Sequence, residues 1–183
     1  KHIAIRSFKT SPELVHLDDP ALTVMTDFCQ CVPRIINPNA SMDDALHLMQ
    51  TAGVHMLLVV DDNDDIKGIV TSEDLLGETP IQLIQQRRIE RSNVLVKMLM
   101  LPLEKIPAMN IEDIELARVG NVVNTLQSLS QHYAFVVRLN DDETQIIRGL
   151  FNTSEISKLL HVDLVNTIKN AQTVSELQKR HEK

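Results

Sequence analysis

The sequence predicts an α+β fold in which one β-α-β-β-α unit occurs twice, the two copies related by a pseudo-two-fold axis. Two sequence blocks recur in order, the mark of an internal repeat. His55-Met56-Leu57-Leu58-Val59-Val60 is echoed by His132-Tyr133-Ala134-Phe135-Val136-Val137, 77 residues on. Gly68-Ile69-Val70-Thr71-Ser72-Glu73-Asp74-Leu75 is echoed by Gly149-Leu150-Phe151-Asn152-Thr153-Ser154-Glu155-Ile156, 81 residues on. The second copy therefore carries four extra residues, expected in its polar hairpin Leu139–Gln145, where insertion costs least. Composition agrees. The 183 residues are 43% hydrophobic, with no Trp, one Tyr and four Phe, so the core must be built from Val, Ile, Leu and Met. Small β-α units suit such a core better than an aromatic-rich sandwich or a carbohydrate-binding face.

The elements follow in order. Residues 1–20 form an N-terminal extension and residues 21–79 the first copy. Arg34–Asn37 reads as a short entry strand. Ser41 caps the next helix, with Asp43 and Asp44 in its first turn, where carboxylates suit the helix dipole. Ala45, Leu48, Met49 and Ala52 recur at helical spacing and are expected to face the core. Gly53 stops the helix. Met56–Val60 is a buried strand, Asp61–Asp64 a turn, and Ile66–Val70 the returning hairpin partner. Thr71 opens a second helix. Residues 80–95 form a linker, with Pro80–Arg91 read as helical. The second copy, residues 96–161, has an entry strand around Ile106–Met109 and a helix near Gly120–Ser130. Its strands are Tyr133–Leu139 and Thr144–Phe151, and its last helix begins near Asn152. A C-terminal helix, residues 162–183, carries a narrow apolar stripe of Leu164, Ile168, Ala171 and Val174 that needs a partner surface. One copy of about 60 residues has a marginal core, so a single paired module is expected rather than two independent domains.

Several function classes are disfavoured. The net charge is −7, whereas nucleic-acid binding needs a basic stripe to neutralise phosphates. Arg87, Arg88 and Arg91 read instead as a solvated helix face. The longest apolar stretches, Val54–Val60 and Met98–Leu101, fall far below the roughly 18–20 residues that span a bilayer. No signal peptide is visible, and a cytoplasmic protein is expected. The sequence opens on Lys1 rather than Met, as when the natural N-terminus lies upstream. Cys29 and Cys31 form a Cys-x-Cys without further ligands at metal spacing, and read as two reduced thiols. Asp61, Asp62, Asp64 and Asp65 lack the Gly and distal Glu of a calcium loop and read as a solvated turn. No Gly-rich phosphate loop, nucleophile elbow or zinc-ligand spacing is seen, so catalysis is not expected.

The ordered set Val24-Met25-Thr26, Leu48-Met49 to Gly53-Val54-His55, Leu58-Val59-Val60-Asp61, and Gly68-Ile69-Val70-Thr71 with Asp74-Leu75 resembles a cystathionine β-synthase (CBS) repeat. An eroded second copy runs from Val96-Lys97-Met98-Leu99-Met100 to Gly149–Ile156. The resemblance covers roughly residues 21–161 and is to a stand-alone CBS pair of the bacterial type. It implies a regulatory, non-catalytic module that dimerises into a flat disc. It also implies an unidentified effector protein as partner and no required cofactor. AMP, ADP, ATP or S-adenosylmethionine is the implied ligand, bound in the cleft between the repeats.

Thr71-Ser72-Glu73-Asp74 lies where a strand ends and a helix begins. In one reading Thr71 and Asp74 form a capping box that satisfies the helix's own amides. In the other, Thr71 meets ribose or phosphate and the Asp74 carboxylate accepts from both ribose hydroxyls. The second copy offers Asn152 and Glu155. The extra methylene of Glu moves its carboxylate out of register, so this half is expected to be degenerate. His55 and His132 hold matching positions at the mouths of the buried strands. The resemblance implies that one site combines Ile69, Thr71 and Asp74 with Ala108, Met109 and His132. The other would combine Leu150, Asn152 and Glu155 with Arg34, Ile35 and His55. A structural dimerisation module without nucleotide is the alternative reading, and the eroded second copy supports it.

Overall fold

Local signals place the elements. In the computed structural model, residues 14–140 and 144–165 are described. The strands in chain order are β1 (Thr26–Asp27), β2 (Ile35–Ile36), β3 (Met56–Val60), β4 (Ile66–Thr71), β5 (Leu101–Pro102), β6 (Ala108–Asn110), β7 (Tyr133–Leu139) and β8 (Gln145–Asn152). The α-helices are α1 (Met42–Ala52), α2 (Ser72–Leu76), α3 (Glu78–Arg87), α4 (Ile111–Leu116), α5 (Val119–Ser128) and α6 (Thr153–Leu160). They form two units. One is Asp27–Pro107; the other joins the described residues up to Thr26 to those from Ala108 onward.

In the Asp27–Pro107 unit, Ser41 accepts from the Asp44 amide at 3.1 Å while the Asp44 carboxylate accepts from the Ser41 amide at 3.3 Å, a full capping box. Gly53, at φ 66°, ends α1 in the left-handed conformation that only glycine adopts without strain. The sheet order is β2-β3-β4-β5, with β2 parallel to β3 and the other pairs antiparallel. Leu57, Val59 and Val70 on one sheet face pack with Ala45 and Met49 of α1 and Leu75 of α2. Leu48 joins that core half-buried. The helix expected over Pro80–Arg91 is shifted. It runs Glu78–Arg87, because Arg88 takes a left-handed conformation at φ 52° and Arg91–Asn93 forms a separate 3-10 turn.

The other unit has sheet order β1-β8-β7-β6, with β6 parallel to β7. Ala134, Val136 and Phe151 pack with Val119, Val122, Val123 and Leu126 of α5, Ile156 of α6, and Ala21 and Val24 of a preceding 3-10 turn. Helix α4, capped by Asn110, has no counterpart in the sequence reading. β7 and β8 are each two residues longer than β3 and β4; residues 141–143, within the expected insertion Leu139–Gln145, lie outside the described residues. Both hairpins also carry a register shift at the matching place, Val59/Val60 and Val136/Val137. Leu164 packs into this core; Ile168, Ala171 and Val174 lie outside the described residues.

The units cross the repeat boundaries at 21–79 and 96–161. Met42 donates its amide to Val94 O at 2.8 Å and Val96 to Ala40 O at 2.9 Å. The same pair of bonds recurs from Val119 to Asp19 O at 2.9 Å and from Ala21 to Ala117 O at 3.0 Å. Each copy's leading segment is thus built into the unit that holds the other copy's hairpin. The leading strand lies tight against a glycine: a Cβ at Gly68 would sit 2.1 Å from Leu101 O, and one at Gly149 2.6 Å from Thr26 O. That is why the repeat keeps glycine at both positions.

Candidate functional site

At the end of β4 the chain turns into α2 through Thr71. The Thr71 hydroxyl donates to Asp74 Oδ2 at 2.7 Å, and the Thr71 amide donates to the same oxygen at 2.9 Å. The Asp74 amide returns to Thr71 Oγ1 at 3.3 Å. The capping box of the sequence reading is therefore present. It uses one carboxylate oxygen only; Oδ1 takes no hydrogen bond or ion pair among the described residues. Thr71 is buried and Asp74 half-buried. The Ser72 amide donates to His55 O at 2.9 Å, tying the mouth of β3 to the turn, with His55 itself exposed. Arg34 and Ile35 are exposed at the entry, where Arg34 O accepts from Leu58 N at 2.9 Å. Ile69 is fully buried in β4, opposite Leu58 and outside the helix-side cluster.

The second copy is built differently at the same place. Asn152 Oδ1 accepts from the Ser154 amide at 2.8 Å, so it caps one residue earlier. Glu155 makes no reciprocal bond. Its Oε1 pairs with Lys158 Nζ at 2.7 Å on the exposed side of α6. His132 Nδ1 lies 3.2 Å from Thr153 Oγ1, and the Thr153 amide donates to His132 O at 2.9 Å. Thr153 is 1% exposed, so this contact closes the junction. Leu150 is buried, Met109 half-buried against the core, and Ala108 exposed.

Arg34, Ile35, His55, Ile69, Thr71 and Asp74 thus lie in one unit, and Ala108, Met109, His132, Leu150, Asn152 and Glu155 in the other. Each histidine is bonded to its own copy's turn. The Lys158 partner and the Thr153 contact escaped the sequence reading. The hydroxyl residue at both Ser72 and Thr153 was the available signal.

The acidic hairpin turn is neutralised from within. Asp61 Oδ1 accepts from the amides of Asn63 at 2.9 Å and Asp65 at 3.1 Å, and Lys67 Nζ reaches Asp61 at 2.9 Å and Asp65 at 3.3 Å. The Lys67 hydrogen bond holds the Asp61 carboxyl below its ordinary range, and Asp61, then Asp65, raise the Lys67 ammonium above its own. Among the described residues no group of three His, Cys, Asp or Glu side chains is placed to hold a metal ion. No described helix is long and apolar enough to cross a membrane.

Residues 12–79 match the family model of the CBS domain. A conserved CBS domain protein of Thermoplasma acidophilum superposes with a TM-score of 0.53, covering 81% of this chain and 77% of its own at 18% identity. The fold is that of a tandem CBS-domain protein. CBSX2 of Arabidopsis thaliana, solved in complex with AMP, superposes with a TM-score of 0.51 over 76% of this chain and 94% of its own, at 22% identity. GMP reductase from Trypanosoma brucei gives 0.50 over 78% of this chain but only 28% of its own, at 20% identity. The fold therefore occurs both as nearly a whole chain and as part of a longer one. At these identities the likeness is one of fold. No curated protein matches the sequence significantly.

Proposed function

We propose that this CBS pair is a non-catalytic regulatory module that binds an adenosine-containing ligand (AMP, ADP, ATP or S-adenosylmethionine) through the Thr71–Asp74 turn. The observation that carries the reading is the half-used Asp74 carboxylate. Its Oδ2 is committed to the cap, while Oδ1 remains open to a ligand hydroxyl. Binding need not dismantle the helix start. The AMP complex of CBSX2 supports the choice of ligand, since a protein of this fold accepts an adenine nucleotide. The second copy supports one dominant site per chain, because Glu155 is turned onto Lys158. Regulation then requires that the ligand bind two conformations of the module with different affinity. The alternative reading is a structural dimerisation module with no bound nucleotide, and the Glu155–Lys158 pair supports it only in so far as it takes Glu155 away from a ligand role. The dimer we propose uses the exposed apolar side chains Leu76 and Ile81 of the α2–α3 segment.

Calorimetric titration with AMP and ATP tests the assignment. Asp74→Ala removes a charged acceptor, whose hydrogen bonds contribute about 1.5–3 kcal/mol, so affinity should fall roughly ten- to a hundred-fold. Glu155→Ala should change it much less. Binding that survives Asp74→Ala and is lost in Glu155→Ala would place the site in the other copy. A wild-type protein that takes no adenosine compound at millimolar concentration leaves the dimerisation reading.

A further inference from the structure

The chain has two cysteines, Cys29 and Cys31, both free and exposed. They share one turn immediately after β1. Asp27 O accepts from the amides of Gln30 at 3.1 Å and Cys31 at 2.9 Å. The Asp27 carboxylate accepts from the Cys29 amide at 2.8 Å and from Gln30 Nε2 at 3.2 Å. These i+3 and i+4 bonds to one carbonyl, with no positive φ in the turn, make it a single right-handed helical turn. In such a turn the Cα atoms of residues two apart stand about 5.4 Å from each other, within the roughly 4.4–6.8 Å that a disulfide bridges. Their side chains leave the axis about 200° apart, however, and do not face one another. The backbone separation suits a disulfide and the side-chain directions oppose it. A bond between the two sulfurs therefore requires the turn to open.

We propose that Cys29 and Cys31 form a reversible redox site, an internal disulfide whose formation unwinds the Asp27–Cys31 turn. The oxidant class is a hydroperoxide. One thiolate attacks a peroxide oxygen, the O–O bond breaks, and hydroxide leaves a sulfenic acid on that sulfur. The second thiolate attacks this sulfur, the S–O bond breaks, and a second hydroxide leaves. The two thiol protons convert both hydroxides to water, so two thiols and one hydrogen peroxide give one disulfide and two waters. A dithiol reductant reverses the step by exchange. Opening the turn takes the Cys29 and Cys31 amides off their Asp27 acceptors. The turn follows β1 directly, and its acceptor Asp27 is the last residue of that strand. This site is independent of the nucleotide reading.

The experiment treats the full chain with one equivalent of hydrogen peroxide. Intact mass, alkylation with and without dithiothreitol, and hydrogen exchange are then read. The expected product is a single chain lighter by about 2 Da, inert to alkylation until reduced. Amide exchange across residues 27–31 should quicken on the order of tenfold or more, while Met56–Val60 stays protected. Cys29→Ser and Cys31→Ser should each abolish the mass loss. The proposal is overturned by thiols that stay alkylatable, by oxidation that yields only chain-to-chain disulfides or sulfinic acids, or by an internal disulfide that leaves exchange at 27–31 unchanged.

Discussion

Gly68→Ala probes the closest approach of backbone to any described glycine, at a position whose φ of +157° also disfavours a side chain. The added Cβ would stand 2.1 Å from Leu101 O and 3.0 Å from both Leu101 C and Pro102 Cα. All three atoms are backbone, so no side-chain rotation relieves the overlap; β5 has to move by about 1 Å or more. Val96 and Leu99, just upstream of β5, are part of the buried core, so the shift spreads into packed side chains. Overpacking of this kind costs about 1–3 kcal/mol, and a backbone clash belongs at the upper end. Gly53→Ala is the control. Its Cβ meets nothing within 4 Å, and only the left-handed φ of +66° opposes it, at about 1 kcal/mol. For a chain of this size each kcal/mol lowers Tm by roughly 2–4 °C. Gly68→Ala should therefore melt about 6–12 °C below the parent and Gly53→Ala about 2–4 °C below. Urea unfolding followed by circular dichroism, with unchanged m, checks both. If Gly68→Ala is no more destabilised than Gly53→Ala, β5 is not seated against β4 as described.

Three further outcomes are expected. Ser41→Ala removes the capping box of α1 and should cost about 1 kcal/mol in the same urea experiment, with Ser41→Asn recovering most of it. Lys67→Met should return the Asp61 carboxyl upward toward its ordinary value in an NMR titration. Because Asp61 is depressed in the folded state, its contribution to stability is complete above the unfolded carboxylate value of 3.8. That contribution is lost as pH falls through the folded value, so the variant should lose this acid-range dependence. Leu76→Glu with Ile81→Glu should turn a dimer into a monomer by light scattering; a parent already monomeric at micromolar concentration refutes the proposed dimer.

The repeat made most of the fold legible. Both hairpins follow from a β-branched run, a polar turn and a glycine. Ser41 and Gly53 bound α1 because caps are local chemistry, readable from adjacent residues. Helix α4 was missed because Ile111–Leu116 is short and half charged, too brief for a period to show. The end of α3 was missed because Arg88 takes a left-handed conformation that its side chain does not advertise. At the site, Thr71 and Asp74 were legible by their spacing as a cap, whereas sequence cannot say which carboxylate oxygen the cap uses. The Glu155–Lys158 pair was accessible in principle, as an i,i+3 charge pair on α6. The exchange of leading segments was not legible, because nothing in a repeated sequence says which copy a segment will pack with.

That exchange separates the unit of inheritance from the unit of folding. A gene fragment cut at the repeat boundary would encode a hairpin and two helices yet lack the strand that closes its own sheet. The exposed edge of β4 would then be open to any extended chain, another fragment included. Losing either copy would take a strand from the sheet that holds the other copy's hairpin. Divergence inside a copy, such as the change from Asp74 to Glu155 at matching places, can proceed because the frame around it is held by its sibling.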